Sequence, residues 1–93
     1  YTLKWLVPNA KKNDREPIII TLQPGGQYKE EKPHEGEEFG YVLAGSIFLH
    51  LGDKKNKVRK GESFYFKPKA NHYLSNPGKT IAKVIWITTP PSF

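Results

Sequence analysis

A chain of 93 residues is long enough for one domain, and a domain of this size buries only about 60% of the surface of its unfolded chain. The chain has no cysteine, which excludes disulfides, thiolate metal sites and a cysteine nucleophile and fits the cytoplasmic localisation that we expect. Its apolar runs are too short to span a membrane, and its net charge of +6 comes mainly from lysines scattered through predicted turns, which favours a solvated surface over direct contact with nucleic acid.

Short apolar or alternating segments separated by Gly and Pro turns predict strands along the whole chain. The first, at residues 1–7, is rich in aromatic and β-branched residues and precedes a charged loop over residues 9–16. The other predicted strands are residues 17–22, 28–33, 38–44, 46–51, 57–59, 63–66, 72–75 and 80–89. Only Gly45 separates the two strands in the middle of the chain, which predicts a tight bend or a hairpin at that point.

The chain shows almost no helical pattern, because no long window keeps a period of 3.6 residues without Gly or Pro. Many short strands with regularly spaced turns are typical of β-sandwiches and small barrels, so we predict one all-β domain over residues 1–93. Residues predicted for the core or a ligand pocket are Gly40, Val42, Ile47, Phe64, Phe66, Val84 and Trp86. For most of these a core role is expected, and the functional alternative is that Phe66 and Trp86 form the apolar wall of a ligand cavity.

Three polar side chains, Lys32, His34 and Glu38, lie two and four residues apart in a stretch bounded by glycines. In an extended strand, side chains at these spacings point to the same face. A second polar pair, His72 and Asn76, follows later in the chain. Two histidines and a carboxylate from separate strand pairs would form a metal or ligand site. Among the acidic residues nearby, we expect Glu38 alone to face inward.

The first of these stretches resembles the first motif of the cupin family. The positions of that motif are occupied by Gly26, Lys32, His34, Glu38 and Gly45. Lys32 stands where the first of two histidines is usual. The resemblance implies a jelly-roll β-barrel, also called a double-stranded β-helix.

The second cupin motif is matched at Gly61, His72 and Asn76, although Lys67 and Lys69 replace its usual proline and glycine. Together the two motifs cover residues 26–76, which is over half of the chain. Carried over residue by residue, the resemblance implies that His34, Glu38 and His72 bind a divalent metal such as Fe, Mn, Ni, Zn or Co. The full set of predicted ligand-binding residues is Lys32, His34, Glu38, His72, Phe66 and Trp86.

Lys32 leaves two alternatives open at this site. Its ammonium group could replace the ion and pair with Glu38, which would leave a metal-free pocket for an anionic or hydroxylated small molecule. It could equally turn towards solvent and leave a three-ligand metal site intact. A third alternative is a purely structural polar core.

The segments PHEGEEFGYVLAGSIFLHLG, KGESFYFKPKANHYLSNPG and ITTPPSF look like the sensor domains of Xre-type helix-turn-helix transcription regulators. In that group the cupin domain follows an amino-terminal DNA-binding domain. We therefore expect this chain, which opens without Met, to be the C-terminal part of a longer regulator that contacts DNA only through its missing domain. We also expect a homodimer, formed by adding residues 1–7 or 18–22 to a partner's sheet.

The function implied by this resemblance is a dimerising domain that senses a small-molecule effector for a transcription regulator. The alternative is a small stand-alone metal-dependent enzyme, an isomerase or a dioxygenase, since cupins host both chemistries. The residues themselves give catalysis little support, because no nucleophile with an adjacent base is visible.

Overall fold

In a computed structural model of the chain, residues 1–5 and 16–89 are described. Eight strands make up their regular structure: β1 Thr2–Trp5, β2 Glu16–Leu22, β3 Glu37–Ala44, β4 Ser46–Leu51, β5 Lys54–Arg59, β6 Ser63–Phe66, β7 His72–Ser75 and β8 Ala82–Thr89. No helix occurs in these two ranges, so the all-β prediction is confirmed. Nor do they contain a helix with the length and apolar character needed to cross a membrane.

The strands form two antiparallel sheets, one with the order β1-β2-β8-β3-β6 and one with the order β5-β4-β7. Side chains along β3 and β8 alternate between buried and more exposed, as expected for strands with one face on a core. The buried side chains of both sheets form a single hydrophobic cluster. The predicted core residues belong to it or lie beside it, since Gly40 and all six larger residues of that group are buried.

Gly45 carries the chain from one sheet to the other, because β3 lies in the larger sheet and β4 in the smaller one. The predicted bend is therefore confirmed, and the hairpin alternative is wrong. Gly45 has a φ of 68°, and a Cβ atom there would lie 2.7 Å from the carbonyl oxygen of Ile81. Both observations explain why glycine occupies this bend.

Two predicted strands differ from the structure. Residues 28–33 form no strand and make one isolated bridge, Glu31 with His72, while a second bridge, Gln27 with Ser75, lies just before them. Strand β5 begins at residue 54, three residues earlier than predicted. The segment 6–15, which includes the end of the first predicted strand and most of the predicted charged loop, lies outside the described residues.

Strand β2 is paired on both sides, with β1 and with β8. The expectation that residues 18–22 add to a partner's sheet is therefore wrong, since both edges of this strand already have hydrogen-bonded neighbours. Strand β1 lies at the edge of the sheet as far as the described residues show.

Candidate metal centre

Three side chains, one from each sheet and one from a connecting segment, converge at one place. Glu38 lies near the start of β3, and its side chain is 2% exposed. His72 opens β7 in the other sheet and is fully buried. His34 lies in the connection before β3, where its backbone N–H donates to the carbonyl of Pro68 at 3.0 Å.

The carboxylate of Glu38 lies between the two imidazole rings. Its Oε2 atom is 2.9 Å from His34 Nε2 and 2.7 Å from His72 Nε2. The ring centroids of the two histidines are 5.3 Å apart. The structure therefore brings together the three residues that the sequence proposed as metal ligands.

Backbone carbonyls fix the orientation of both histidine rings. The Nδ1–H of His34 donates to the carbonyl of Glu35 at 2.8 Å, and the Nδ1–H of His72 donates to the carbonyl of Ala70 at 3.0 Å. A carbonyl can only accept, so the proton of each neutral ring is on Nδ1 and the lone pair of Nε2 faces Glu38. This arrangement is the usual one for metal-binding histidines, whose second nitrogen donates to a carbonyl or carboxylate.

His72 Nε2 makes no aligned hydrogen bond among the described residues, although it is buried and close to Glu38. Two lone-pair-bearing atoms at 2.7 Å repel each other unless a proton or a cation lies with them. Two imidazole nitrogens and a carboxylate are a ligand set that suits divalent first-row metals. The residues present thus fit a metal ion, and protonation of a histidine is the other way to satisfy the contact.

Glu31 is a fourth member of this cluster that the sequence analysis missed. Ligand atoms of Glu31, His34 and His72 all lie within 4.8 Å of one another, and the Glu31 side chain is half-buried. The expectation that Glu38 alone faces inward is therefore wrong. The backbone explains the position, because Glu31 and His72 exchange N–H to carbonyl hydrogen bonds of 2.8 and 2.9 Å, and directly opposed residues share a face.

The other predicted site residues lie in three different surroundings. Lys32 is exposed, which corresponds to the alternative in which its side chain turns towards solvent. Phe66 contacts the cluster, with its ring centroid 5.3 Å from that of His72. Trp86 is buried among aromatic rings, 5.4 Å from Tyr28 and 6.1 Å from Phe64.

Asn76, the other member of the predicted polar pair, has a structural role. Its side-chain amide donates to the carbonyls of Leu22 and Thr80, and its Oδ1 accepts from the backbone N–H of Gly78. These three bonds tie the turn after β7 to the end of β2.

Burial and nearby charges alter the proton affinity of two cluster residues. Burial raises the pKa of Glu31, and the negative charge of Glu38 raises it further. Burial lowers the pKa of His72, but contact with the Glu38 carboxylate and the Ala70 carbonyl outweighs burial, so the pKa of His72 is raised overall. Both shifts mean that protons compete with a metal ion for this cluster.

A surface groove of about 750 Å³ opens beside the cluster on the His34 side. Its lining residues are Pro33, His34, Glu35, Gly36, Glu37, Lys67, Pro68 and Lys69. His34, as the partly exposed member of the three converging residues, connects this groove with the buried carboxylate. The groove therefore gives solvent and small molecules a route to the cluster.

His50 is separate from the cluster. Its Nε2 atom is 2.8 Å from the hydroxyl of Ser75, and its ring stacks on Tyr73 at a centroid distance of 4.0 Å. These contacts give His50 a structural role between β4 and β7.

The fold and the motif positions identify the class of this protein. The model of the Cupin_2 family, described as a cupin domain, matches residues 18–88, and the chain belongs to that family. Curated relatives include HTH-type transcriptional regulator PuuR of Escherichia coli, to which this chain is 34% identical over 89 residues, covering 95% of this chain and 48% of that protein. Another is the uncharacterized protein MJ1618 of Methanocaldococcus jannaschii, 30% identical over 87 residues, covering 92% of this chain and 70% of that protein. The chain thus spans about half the length of the regulator that it resembles.

Solved structures show the same fold. The Cupin_2 domain of an XRE family transcriptional regulator from Enterobacter cloacae superposes with a TM-score of 0.83 at 19% identity, covering 98% of this chain and 97% of that one. A predicted oxalate decarboxylase from Thermotoga maritima superposes with a TM-score of 0.78 at 21% identity, covering 92% of this chain and 76% of that one. The same barrel thus occurs in a regulator and in a predicted enzyme, so the fold alone does not decide the function.

Proposed function

We propose that this chain is the effector-sensing domain of a helix-turn-helix transcription regulator, and that His34, Glu38 and His72 hold a divalent metal ion as part of the effector site. The observation that carries the proposal is the convergence of two oriented imidazole nitrogens on one buried carboxylate. A metal ion held there would supply a positive charge to which an oxygen atom of the effector can bind.

The surroundings of the cluster favour a small anionic or hydroxylated effector. The groove beside His34 is large enough for a small molecule, and its lining carries two ammonium groups, Lys67 and Lys69, and two carboxylates, Glu35 and Glu37. Ammonium groups attract anions, whereas carboxylates accept hydrogen bonds from hydroxyl groups, so the lining suits a molecule that has either kind of group. Lys32, which is exposed, adds to the positive charge of the surface without entering the cluster.

The regulator part of the proposal is supported by the relatives. The similarity to an HTH-type transcriptional regulator extends over 95% of this chain. We infer that DNA is contacted through a separate amino-terminal domain and that the protein acts in the cytoplasm. We also infer that two copies pair, so that their two DNA-binding domains bind the two half-sites of the target DNA. Effector binding would then shift the population of dimer geometries that fit DNA.

The second candidate function is that of a small metal-dependent enzyme. One observation favours it: the groove leaves the His34 side of the cluster open, as a catalytic metal site requires. The described residues offer little else for catalysis, because the cluster has no adjacent nucleophile.

A ligand screen with product analysis separates the two functions. Metal-loaded protein is mixed with a panel of small anionic and hydroxylated compounds, and its melting temperature is measured while NMR follows each compound. A sensor should be stabilised by one class of compound that stays chemically intact. Consumption of a compound would instead support the enzyme. If no compound alters the melting temperature or is consumed, the effector-site proposal fails.

A further inference from the structure

We propose that Glu31 is a metal ligand in this chain and takes the place of the histidine that Lys32 replaces in the first cupin motif. This inference rests on the metal binding proposed above and adds a residue to that site. Its geometric basis is the short separation of the ligand atoms of Glu31, His34 and His72, all within 4.8 Å of one another.

The backbone around Glu31 holds its side chain towards the cluster. Glu31 and His72 form an antiparallel bridge with two hydrogen bonds, so their side chains stand on the same face. Successive residues of an extended segment point to opposite faces, so the inward position of Glu31 leaves Lys32 facing outward. The observed burial agrees, since Glu31 is half-buried and Lys32 is exposed.

The charge balance of the cluster supports the same assignment. Two neutral imidazoles and the Glu38 carboxylate carry one negative charge, and a second carboxylate at Glu31 would balance a divalent ion. Two nitrogen and two oxygen ligands suit Mn²⁺, Fe²⁺, Co²⁺, Ni²⁺ or Zn²⁺ better than the softer Cu⁺.

The test is Co²⁺ and Mn²⁺ binding to chelator-treated protein, measured by calorimetry, with the visible absorption of bound Co²⁺ as a second readout. Glu31→Gln should lower the affinity about 10-fold to 100-fold and alter the Co²⁺ spectrum. Glu30→Gln is the matched control, because Glu30 is the exposed neighbour and its acceptor contact with Asn71 survives in Gln. Lys32→His should leave binding unchanged, because the side chain at that position faces solvent.

Three outcomes would be decisive. If wild type binds no metal, the proposed metal site itself fails. If wild type binds metal and Glu31→Gln binds equally well, only the role of Glu31 is overturned. If Lys32→His strengthens binding and Glu31→Gln has no effect, the ligand position is residue 32, as in the family motif.

A second inference concerns the outer face of the larger sheet, and a different observation carries it. We infer that this face pairs with the same face of a second copy. Large apolar side chains stand there in two adjacent rows, Ile87–Phe39–Tyr65 and Ile19–Ile85–Tyr41. Phe39, Tyr41 and Tyr65 are 41%, 39% and 57% exposed. A contiguous apolar surface of this size matches the largest patch of a typical monomer, and such patches are often interaction sites.

The charges at the ends of this face indicate that the occupant is a second copy. Glu37 pairs with Thr89 at one end of the contact between β3 and β8, and Lys83 pairs with Ala44 at the other end. Two copies can be related by a twofold axis that runs perpendicular to the strands. Each Glu37 would then lie near Lys83 of the other copy, and the row that contains Phe39 would pack on the row that contains Tyr41 of the other copy. Between those ends, the described outward-facing residues of β2, β8, β3 and β6 carry no charge, and Lys4 of β1, which pairs with Ile19, places a positive charge at the β1 edge of the face.

The size of the face predicts a modest affinity. Four strands about 4.8 Å apart and about six residues of about 3.3 Å each give a flat footprint of about 400 Å² per copy. Because side chains roughen both faces, the accessible area that the two copies bury together is larger than two flat footprints. That buried area lies near about 1,200 Å² in total, which is the lower limit for a specific interface. We therefore expect a monomer–dimer equilibrium rather than a permanent dimer.

Light scattering after gel filtration, from about 10 µM to about 1 mM protein, tests this surface without metal or effector. Tyr41→Lys should weaken the dimer at least about tenfold, because it puts a charge in the apolar centre. Glu37→Lys and Lys83→Glu should each weaken it, and the double variant should recover it. Lys57→Glu, on the other sheet, is the control and should have no effect.

Glu37→Lys also removes the hydrogen bond between Tyr65 and Glu37, and the double variant does not restore that bond. If the double variant nevertheless dimerises like wild type, the loss of this hydrogen bond is not what weakens the dimer. If wild type remains monomeric over the whole range, or if the single charge variants dimerise like wild type, this interface is wrong. Neither result would affect the metal site.

Discussion

His72→Gln and Glu38→Gln should each lower the affinity for a divalent metal at least about 100-fold, which is the largest effect that we expect from a single substitution in this protein. Glu38 lies within 2.9 Å of both imidazole nitrogens, so its loss removes the atom on which the cluster is centred. A metal at 100 times its Kd stabilises a protein by about 2.7 kcal/mol. For a domain of this size that raises the melting temperature by roughly 10–20 °C. Both variants should lose this increase.

His50→Gln is the matched control for the histidine substitution. His50 is a partly buried histidine that contacts Ser75 and Tyr73 away from the cluster, so its replacement should leave the metal-induced shift unchanged. Binding should also weaken as the pH falls through the pKa of His72, which is raised, because the proton occupies the nitrogen that the metal needs. Wild type that holds far less than one equivalent after loading, with no change in melting temperature, would exclude a metal role for the cluster.

The positions of the cupin motifs were sufficient to predict that His34, Glu38 and His72 meet, although their role as ligands stays a prediction. Strand spacing alone also placed Lys32 on the face of His34 and Glu38, which is wrong because Lys32 is exposed. Glu31 was missed for a physical reason. In a regular strand Lys32 and His34 would share a face, and the alternation would place Glu31 outside. The segment is instead held by isolated bridges and contains Pro33, so alternation does not continue from residue 31 to residue 34. A rule that assumes a regular strand therefore predicts that Lys32 faces the cluster, whereas Glu31 does so in the structure.

The fold was predicted best where one face of a strand meets the core. Strands β3, β4 and β8 have alternating burial, and their bounds differ from the predicted ones by two residues at most. Strand β5 was predicted too short because only Val58 of its six residues is buried, so its lysines resemble a turn in the sequence. The pairing of β2 on both sides depends on contacts between distant parts of the chain, which local patterns do not record.

Gly40→Ala should destabilise the fold by about 3 kcal/mol, a large cost for the addition of one methyl group. Gly40 lies directly opposite Phe64 on one neighbouring strand and Trp86 on the other. A Cβ atom at this position would overlap the Phe64 ring, and that ring is itself held edge-to-face against Trp86 at 6.1 Å. Contact with Trp86 restricts how far the ring can move, and overpacking of this kind strains the core.

Urea unfolding followed by circular dichroism measures this cost, and a second substitution identifies its cause. Gly40→Ala combined with Phe64→Leu should be less destabilised than the sum of the two single variants, because the smaller side chain makes room for the methyl group. Gly78→Ala is the control, since a Cβ atom there would meet Asn76 Oδ1 at 3.4 Å and the backbone nitrogen of Thr80 at 4.0 Å, both ordinary contact distances. It should change stability by less than about 0.5 kcal/mol. Additive effects in the double variant would show that the glycine is needed for a reason other than the aromatic ring. Recovery would show that Gly40 leaves room for the Phe64 ring beside β3, two residues from Glu38 of the candidate metal site.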